Sequence, residues 1–378
     1  MTKPLAGSAL LIALLAGGAP PAEAPRSDAV VLPLEFSAGR PLIALKIDGK
    51  GPYRLLLDTG SGAELVLDRD LAAALGLKPT GTRRIGDPNA PTAIEAQVVR
   101  VPRVEVGELS LRNVQAMTWD RSAMGATEVP QGVVGLSLFG ARVVTLDYPA
   151  KRLILESGDL PEADGKTVFK ASFEDGIPSL PIDVAGTSLR AHLDSGSTGF
   201  LGLPIDLAAK LPLDAPPVRV GRARTASGDY AVTEARLEGY ASVAGIVLER
   251  PKLHFVNLPI GNLGSDLLRS LIVSVDRKNE RVRLVSSGAP IEASERPRLG
   301  VLTYGLKDGR LPVESVAPGS PAEAAGVRAG DQIVRLNDRA VAELSGAQLG
   351  EAMQGRPLAI GLVRDGQTIE IKIESAAR

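Results

Sequence analysis

The sequence contains no cysteine, only two histidines and one tryptophan in 378 residues. Without cysteine there is no thiol nucleophile, disulfide, iron–sulfur cluster, lipidated cysteine or thiolate metal site. The histidines, His192 and His254, are too few for a multi-histidine zinc centre. Any Ser–His–Asp triad is confined to one of those two. Aromatic residues make up 3%, too sparse to stack nucleic-acid bases. An excess of charge of one sign is missing too. With 43 basic and 44 acidic residues the net charge is −1, which argues against a nucleic-acid or anionic-membrane partner.

What is present is the composition of a folded, soluble chain: 44% hydrophobic and 23% charged residues, with 41 glycines and 28 prolines to make turns. The length predicts several folded units. Residues 1–24 have the form of an export signal. Lys3 supplies the positive start, Ala9 to Ala16 a short apolar run, and Ala22-Glu23-Ala24 a small-x-small cleavage site. That run is too short for a bilayer, and no later stretch reaches the roughly 18 apolar residues a spanning helix needs. The expectation is a periplasmic or secreted protein with no membrane span after signal removal; an uncleaved anchor is the alternative.

From Val30 to Val285, short Val/Leu/Ile runs alternate with Gly, Asp and Pro, predicting a strand-dominated fold. Helices are expected to be few and short, one being Asp68 to Leu77 with Asp68 as its cap. An internal duplication organises the region. Leu57-Asp58-Thr59-Gly60-Ser61 recurs as Leu193-Asp194-Ser195-Gly196-Ser197, and at the same offset Asp70-Leu71-Ala72-Ala73 recurs as Asp206-Leu207-Ala208-Ala209. Farther on, the segment from Gly135 pairs with that from Gly264, with Asp147 and Asp276 opening equivalent turns. Two homologous lobes are expected, at 28–158 and 159–288, followed by a linker at 289–297 and a small domain at 298–378.

Each repeated Asp ends an apolar strand and is followed by hydroxyl, glycine, hydroxyl. Glycine lets backbone pass close to a carboxylate or adopt dihedrals closed to other residues. The hydroxyls of Ser61 and Ser197 can donate to the carboxylates and favour their ionised form, so the lower pKa of the pair is expected well below neutral. Duplicated lobes can bring the two turns face to face. Carboxylates about 3 Å apart share one proton, so one acts as base towards water while the other donates to a carbonyl oxygen.

A single such turn carries little weight, but two within a duplication carry much more. On these motifs, with Val133-Val134-Gly135 and the looser Asn262-Leu263-Gly264, the region 28–288 resembles the bacterial retropepsin-like aspartic proteases. The resemblance implies two β-barrel lobes in one chain. It makes Asp58 and Asp194 the catalytic pair, with Thr59, Gly60, Ser61, Ser195, Gly196 and Ser197 supporting them and Thr59 and Ser195 bonding across the lobes. No metal or organic cofactor is implied. The sequence departs from pepsins in its short lobes, in having no tyrosine between Thr80 and Gln97 near an expected flap tip at 86–89, and in leaving no room for a prosegment after Ala24. The second lobe's counterpart, Ala226 to Tyr230, does carry a tyrosine.

Other residues have plainer readings. His192, two before Asp194, is expected in the core or an interface some 6–7 Å along the strand from that carboxylate. His254 reads as a satisfied strand residue and Trp119 as packing. The cluster Arg219 to Arg224 either steers acidic peptides or is a solvated hairpin face.

In 298–378, Ser320 caps a helix opened by Pro321, Glu323 stands at its third position and Gly326 ends it. With Gly330-Asp331 and the apolar run after it, this segment resembles bacterial PDZ domains, which bind extended peptides or peptide termini by adding a strand to a sheet edge. The resemblance puts the carboxylate-binding loop at Leu299-Gly300-Val301. A second helix is expected over Leu344–Met353 and a hairpin at Asp365-Gly366. The expected fold class is therefore mainly β: two retropepsin-like barrels followed by a small α+β PDZ domain. The expected function is an exported aspartic endopeptidase acting on polypeptide. The alternative is a non-enzymatic peptide-binding adaptor with degenerate lobes. Oligomeric state is not legible.

Overall fold

The computed structural model describes residues 28–373 except 38, 86–93, 121–129, 226–227, 287, 289–290, 292–298, 304–305, 317–318, 345–347, 350–351 and 354–357. The export segment 1–24, the flap tip expected at 86–89 and most of the linker 289–297 lie outside the described residues. Strands dominate, as the short β-branched runs and the turn residues between them dictate. Arg40–Ile47 buries every second residue, Pro41, Ile43, Leu45 and Ile47, the signature of a strand with one face in the core. Its hairpin to Lys50–Asp58 turns at Asp48 and Gly49, both at positive φ (49° and 77°), as a tight two-residue turn requires.

The first barrel-like sheet runs in the order Glu35–Ser37, Arg40–Ile47, Lys50–Asp58, Gly132–Gly135, Leu65–Asp68, Leu109–Trp119, Ile94–Val106, Pro79–Ile85. A further pairing of Arg40–Ile47 with Ile94–Val106 bends it back on itself. The second sheet repeats that order strand for strand: Ser172–Glu174, Ile177–Val184, Thr187–Asp194, Gly261–Gly264, Leu201–Pro204, Lys252–Val256, Gly228–Arg236, Val218–Thr225. Ile177–Val184 also pairs with Tyr240–Val243, the counterpart of the closing contact in the first sheet. The sequence repeat is thus a repeat of topology.

A third sheet is shared between the halves, in the order Val30–Pro33, Arg152–Glu156, Val143–Asp147, Leu271–Asp276, Arg281–Ser286, Val168–Lys170. At its centre the equivalent strands Val143–Asp147 and Leu271–Asp276 pair antiparallel, and the Thr145 hydroxyl donates to Ser274 Oγ at 2.8 Å. Asp147 and Asp276 do open equivalent turns. Asp147 accepts from the Ala150 amide and Arg152, and Asp276 from the Asn279 amide and side chain. One apolar core, including fully buried Phe139, Phe200 and Phe255, runs through both barrels. Each such side chain contributes about 1.5–3 kcal/mol by leaving water.

Helices are few. The segment after Asp68 forms only Arg69–Ala74, and Asp68 stands at the cap position without a side-chain cap bond. Its counterpart Ile205–Ala209 is a 3₁₀ turn.

The C-terminal region has a separate core of Leu311, Val313, Ile333, Leu336, Ile360, Leu362 and neighbours. Its sheet runs Val301–Thr303, Leu311–Val316, Gln332–Leu336, Leu358–Arg364, Gln367–Ile373, which leaves Val301–Thr303 at an edge. Ser320 caps Pro321–Ala324 by accepting from the Glu323 amide, while the Glu323 carboxylate accepts from the Gly319 amide at 2.6 Å. Buried Asp331 is paired with Arg364 at 2.7 Å. Burial alone would raise its carboxyl, but Arg364 and the Arg328 amide outweigh that and hold it below the usual range. The hairpin turns at Asp365-Gly366 as expected; of the second helix expected over Leu344–Met353, Leu344 is extended and not helical, 348–349 and 352 are helical, 353 is a turn, and the rest lies outside the described residues. Among the described residues, no helix is long and apolar enough to cross a membrane.

Candidate active site

Asp58 and Asp194 each close a strand that runs parallel to a short partner ending on glycine. Asp58 lies level with Gly135 and Asp194 with Gly264. Fully buried Leu55, Leu57 and Leu193 anchor the strands in the core. Beyond each aspartate the chain folds back, with the Ser61 amide donating to the Asp58 carbonyl and the Ser197 amide to the Asp194 carbonyl. The same local sequence gives the same local turn in both halves.

The two turns are bonded to each other. The Thr59 amide donates to Ser195 Oγ and the Ser195 amide to Thr59 Oγ1, both at 2.9 Å. The same hydroxyls donate onward, Thr59 to the Leu193 carbonyl (2.5 Å) and Ser195 to the Leu57 carbonyl (2.7 Å). Each fully buried hydroxyl therefore accepts once and donates once, so neither is left unsatisfied.

This clasp brings the carboxyls together. A methyl added to Gly60 would lie 2.7 Å from Asp194 Cγ, and one added to Gly196 would lie 2.5 Å from Asp58 Cγ. Neither glycine has a positive φ, so of the two reasons for glycine here the structure uses only close approach. The Gly60 amide donates to Asp58 Oδ1 at 2.8 Å and the Ser197 amide to Asp194 Oδ1 at 2.9 Å. The carboxylate of Asp194 is thus served by the amide of Ser197, while the Ser197 hydroxyl, expected as its donor, accepts from the Gly199 amide.

Burial, followed by the neighbouring Asp194 charge, pushes the Asp58 carboxyl up to about 8. Burial raises Asp194 as well, and the hydrogen bonds of its turn offset that rise only in part. The two carboxyls hydrogen-bond to each other, which raises Asp58 and lowers Asp194. Two raised carboxyls bonded to each other share one proton between them. Asn262 breaks the symmetry: its side chain bonds Asp194 and favours its ionised form, whereas the matching position in the first half is Val133. The Arg40 guanidinium lies in the field of both carboxylates, and its Nε is buried without a hydrogen-bond partner among the described residues. Sequence reasoning named the tripeptide containing Asn262 but gave the residue no role, and it passed over Arg40. Neither position has a repeated partner to flag it.

His192, His254 and Trp119 lie where their plainer readings put them. His192 is half-buried on the strand of Asp194, and burial lowers its pKa. His254 Nε2 is 3.0 Å from the Glu234 carboxylate. Trp119 packs with Leu56, Val66 and Val133. In the C-terminal domain Leu299 is buried and its carbonyl accepts from the Ala322 amide at 3.0 Å. Gly300 has φ 79°, the left-handed conformation that favours glycine, and Val301 opens the edge strand.

Comparison with known proteins agrees with this geometry in two segments. A 64-residue stretch is 38% identical to the periplasmic serine endoprotease DegP of Escherichia coli strain K12, and equally to that of strain O157:H7. It covers 16% of this chain and 14% of those relatives, so the chain matches only a small part of their length. Residues 43–138 match the family described as aspartyl protease and residues 313–364 match the PDZ domain, so the chain carries an aspartyl protease domain ahead of a PDZ domain.

Proposed function

We propose that the chain is an aspartic endopeptidase whose two lobes, 28–158 and 159–288, each contribute one catalytic aspartate. The observation that carries this reading is the mutual approach of Asp58 and Asp194, each within van der Waals reach of the other turn's glycine. In this reading ionised Asp194 takes a proton from water as the water oxygen attacks the scissile carbonyl carbon. Protonated Asp58 gives its proton to the carbonyl oxygen, forming a neutral gem-diol. The proton now on Asp194 passes to the amide nitrogen while Asp58 recovers one from the diol. The C–N bond breaks, and acid and amine products leave with the pair reset. Asn262 and the Ser197 amide suit Asp194 to the base role, and burial suits Asp58 to the acid role.

The edge strand Val301–Thr303, with the Leu299-Gly300-Val301 loop before it, would take an extended peptide or a peptide terminus and bring polypeptide to the cleft. The export-type pattern of residues 1–24 supports a periplasmic or secreted location for this activity. The test is cleavage of an unstructured protein by the full chain, with Asp58→Asn and Asp194→Asn each expected to lower kcat/KM by about 10³-fold or more. Full activity in either variant would defeat the assignment. Peptide binding without cleavage by the unsubstituted protein would favour the adaptor instead.

A further inference from the structure

Arg219 and Arg222 both reach one oxygen of Glu314, at 3.1 and 3.0 Å. The arginines lie on Val218–Thr225, the outermost strand of the second barrel's sheet and one arm of its hairpin with Gly228–Arg236. Glu314 belongs to the PDZ strand Leu311–Val316. Arg219 and Arg222 are therefore not a purely solvated face: both are paired with Glu314.

In a regular strand, residues three apart point to opposite faces. These two arginines share a partner because the ladder slips between them. Arg219 lies opposite Thr233 but Gly221 lies opposite Val232, leaving Val220 as an extra residue. One inserted residue turns both arginines to the same face. The PDZ side carries a matching irregularity: Leu302 opposes Ser315 and Thr303 opposes Val313, so Glu314 is itself the unpaired residue of a bulge. Bulges re-aim side chains. Two bulges, in two separately cored units, converge on one carboxylate.

We infer that Glu314, Arg219 and Arg222 form a latch that docks the PDZ domain on the second-barrel hairpin. Through it, peptide pairing at Val301–Thr303 and the order of that hairpin are coupled. The inference rests on the cleft and peptide-edge assignments proposed above. The bulge that presents Glu314 lies in the ladder joining its strand to the peptide-accepting edge, so a strand added to that edge firms the platform gripping the hairpin. By linkage the effect is reciprocal, a docked hairpin favouring peptide capture. All three side chains are partly exposed, so the latch is modest and salt-sensitive.

The experiment is hydrogen exchange on the full chain carrying Asp58→Asn, which prevents self-cleavage. Glu314→Arg is expected to speed amide exchange in Val218–Thr225 about threefold, and Glu314→Gln to do so less. Adding Arg219→Glu and Arg222→Glu to Glu314→Arg restores the slow rate by exchanging the charges. Unchanged exchange in both single variants, or a triple variant as fast as Glu314→Arg, overturns the latch. The coupling is read with a synthetic peptide of about ten residues ending in a free valine carboxylate. Slowed exchange at both Val301–Thr303 and the hairpin supports it. Slowing at Val301–Thr303 alone overturns the coupling but leaves peptide capture standing. Slowing at neither overturns capture and coupling together.

Discussion

Thr59 and Ser195 exchange amide-to-hydroxyl hydrogen bonds in both directions, each 2.9 Å long, although they stand 136 positions apart. Removing one hydroxyl strands a buried amide and the one carbonyl to which it donates. Thr59→Val and Ser195→Ala are each expected to destabilise the fold by about 1–3 kcal/mol. The double variant should lose less than the sum of the singles, because the partners belong to one network. Urea titration of the four proteins measures this.

Gly196→Ala tests close approach directly. Its methyl would sit 2.5 Å from Asp58 Cγ, so the turns must part. The expected loss is about 1–3 kcal/mol of stability, as in other overpacked sites. Activity should fall far more than stability does, which parallel thermal melts and peptide cleavage rates would reveal.

The raised Asp58 pKa makes a prediction about stability and pH. The folded pKa, about 8, exceeds the ordinary aspartate value of 3.8, so between those limits the folded state holds more protons than the unfolded one. Stability from this group is full below pH about 4 and declines as pH rises towards 8. Asp58→Asn removes the ionising group and should raise the melting temperature at pH 8 by about 3 °C or more, with little gain at pH 4. A larger gain in acid than in alkali would contradict the proton placement.

Asn262 and Arg40 should leave their marks on the pH–rate profile. Both favour the anion, through a hydrogen bond to Asp194 and through charge. Asn262→Val, which copies the first half, and Arg40→Gln should each move the acid limb of kcat/KM to higher pH, by about half a unit or more. A limb that stays in place in both variants would remove these residues from the electrostatics of the pair.

The paired aspartates were legible because chemistry and duplication coincided: the D-x-G-S turn occurs twice, at matching points of two similar segments. The halves' common strand order follows from the same repeat, and Ser320, Pro321 and Gly326 spelled out the PDZ helix. What escaped notice depends on partners brought near only by folding. Asn262 looked like an imperfect copy of Val133, yet the mismatch is what distinguishes Asp194 from Asp58. The Arg219–Glu314 contact depends on two slipped ladders; Gly221 marks the first, as glycine in a strand often does, but Glu314 carries no such mark at the second. The reason for glycine at 60 and 196 was open between dihedral freedom and crowding, and only the opposing carboxyl decides it.

The strand pair Val143–Asp147 and Leu271–Asp276 gives the two halves a common floor of continuous hydrogen bonding. Such a floor resists any motion in which the halves swing apart like the covers of a book, since that would tear the ladder at Thr145 and Ser274. On the proposed reading, a polypeptide would enter past the arms Pro79–Ile85 and Val218–Thr225 and their partners, not by the halves opening at their shared base.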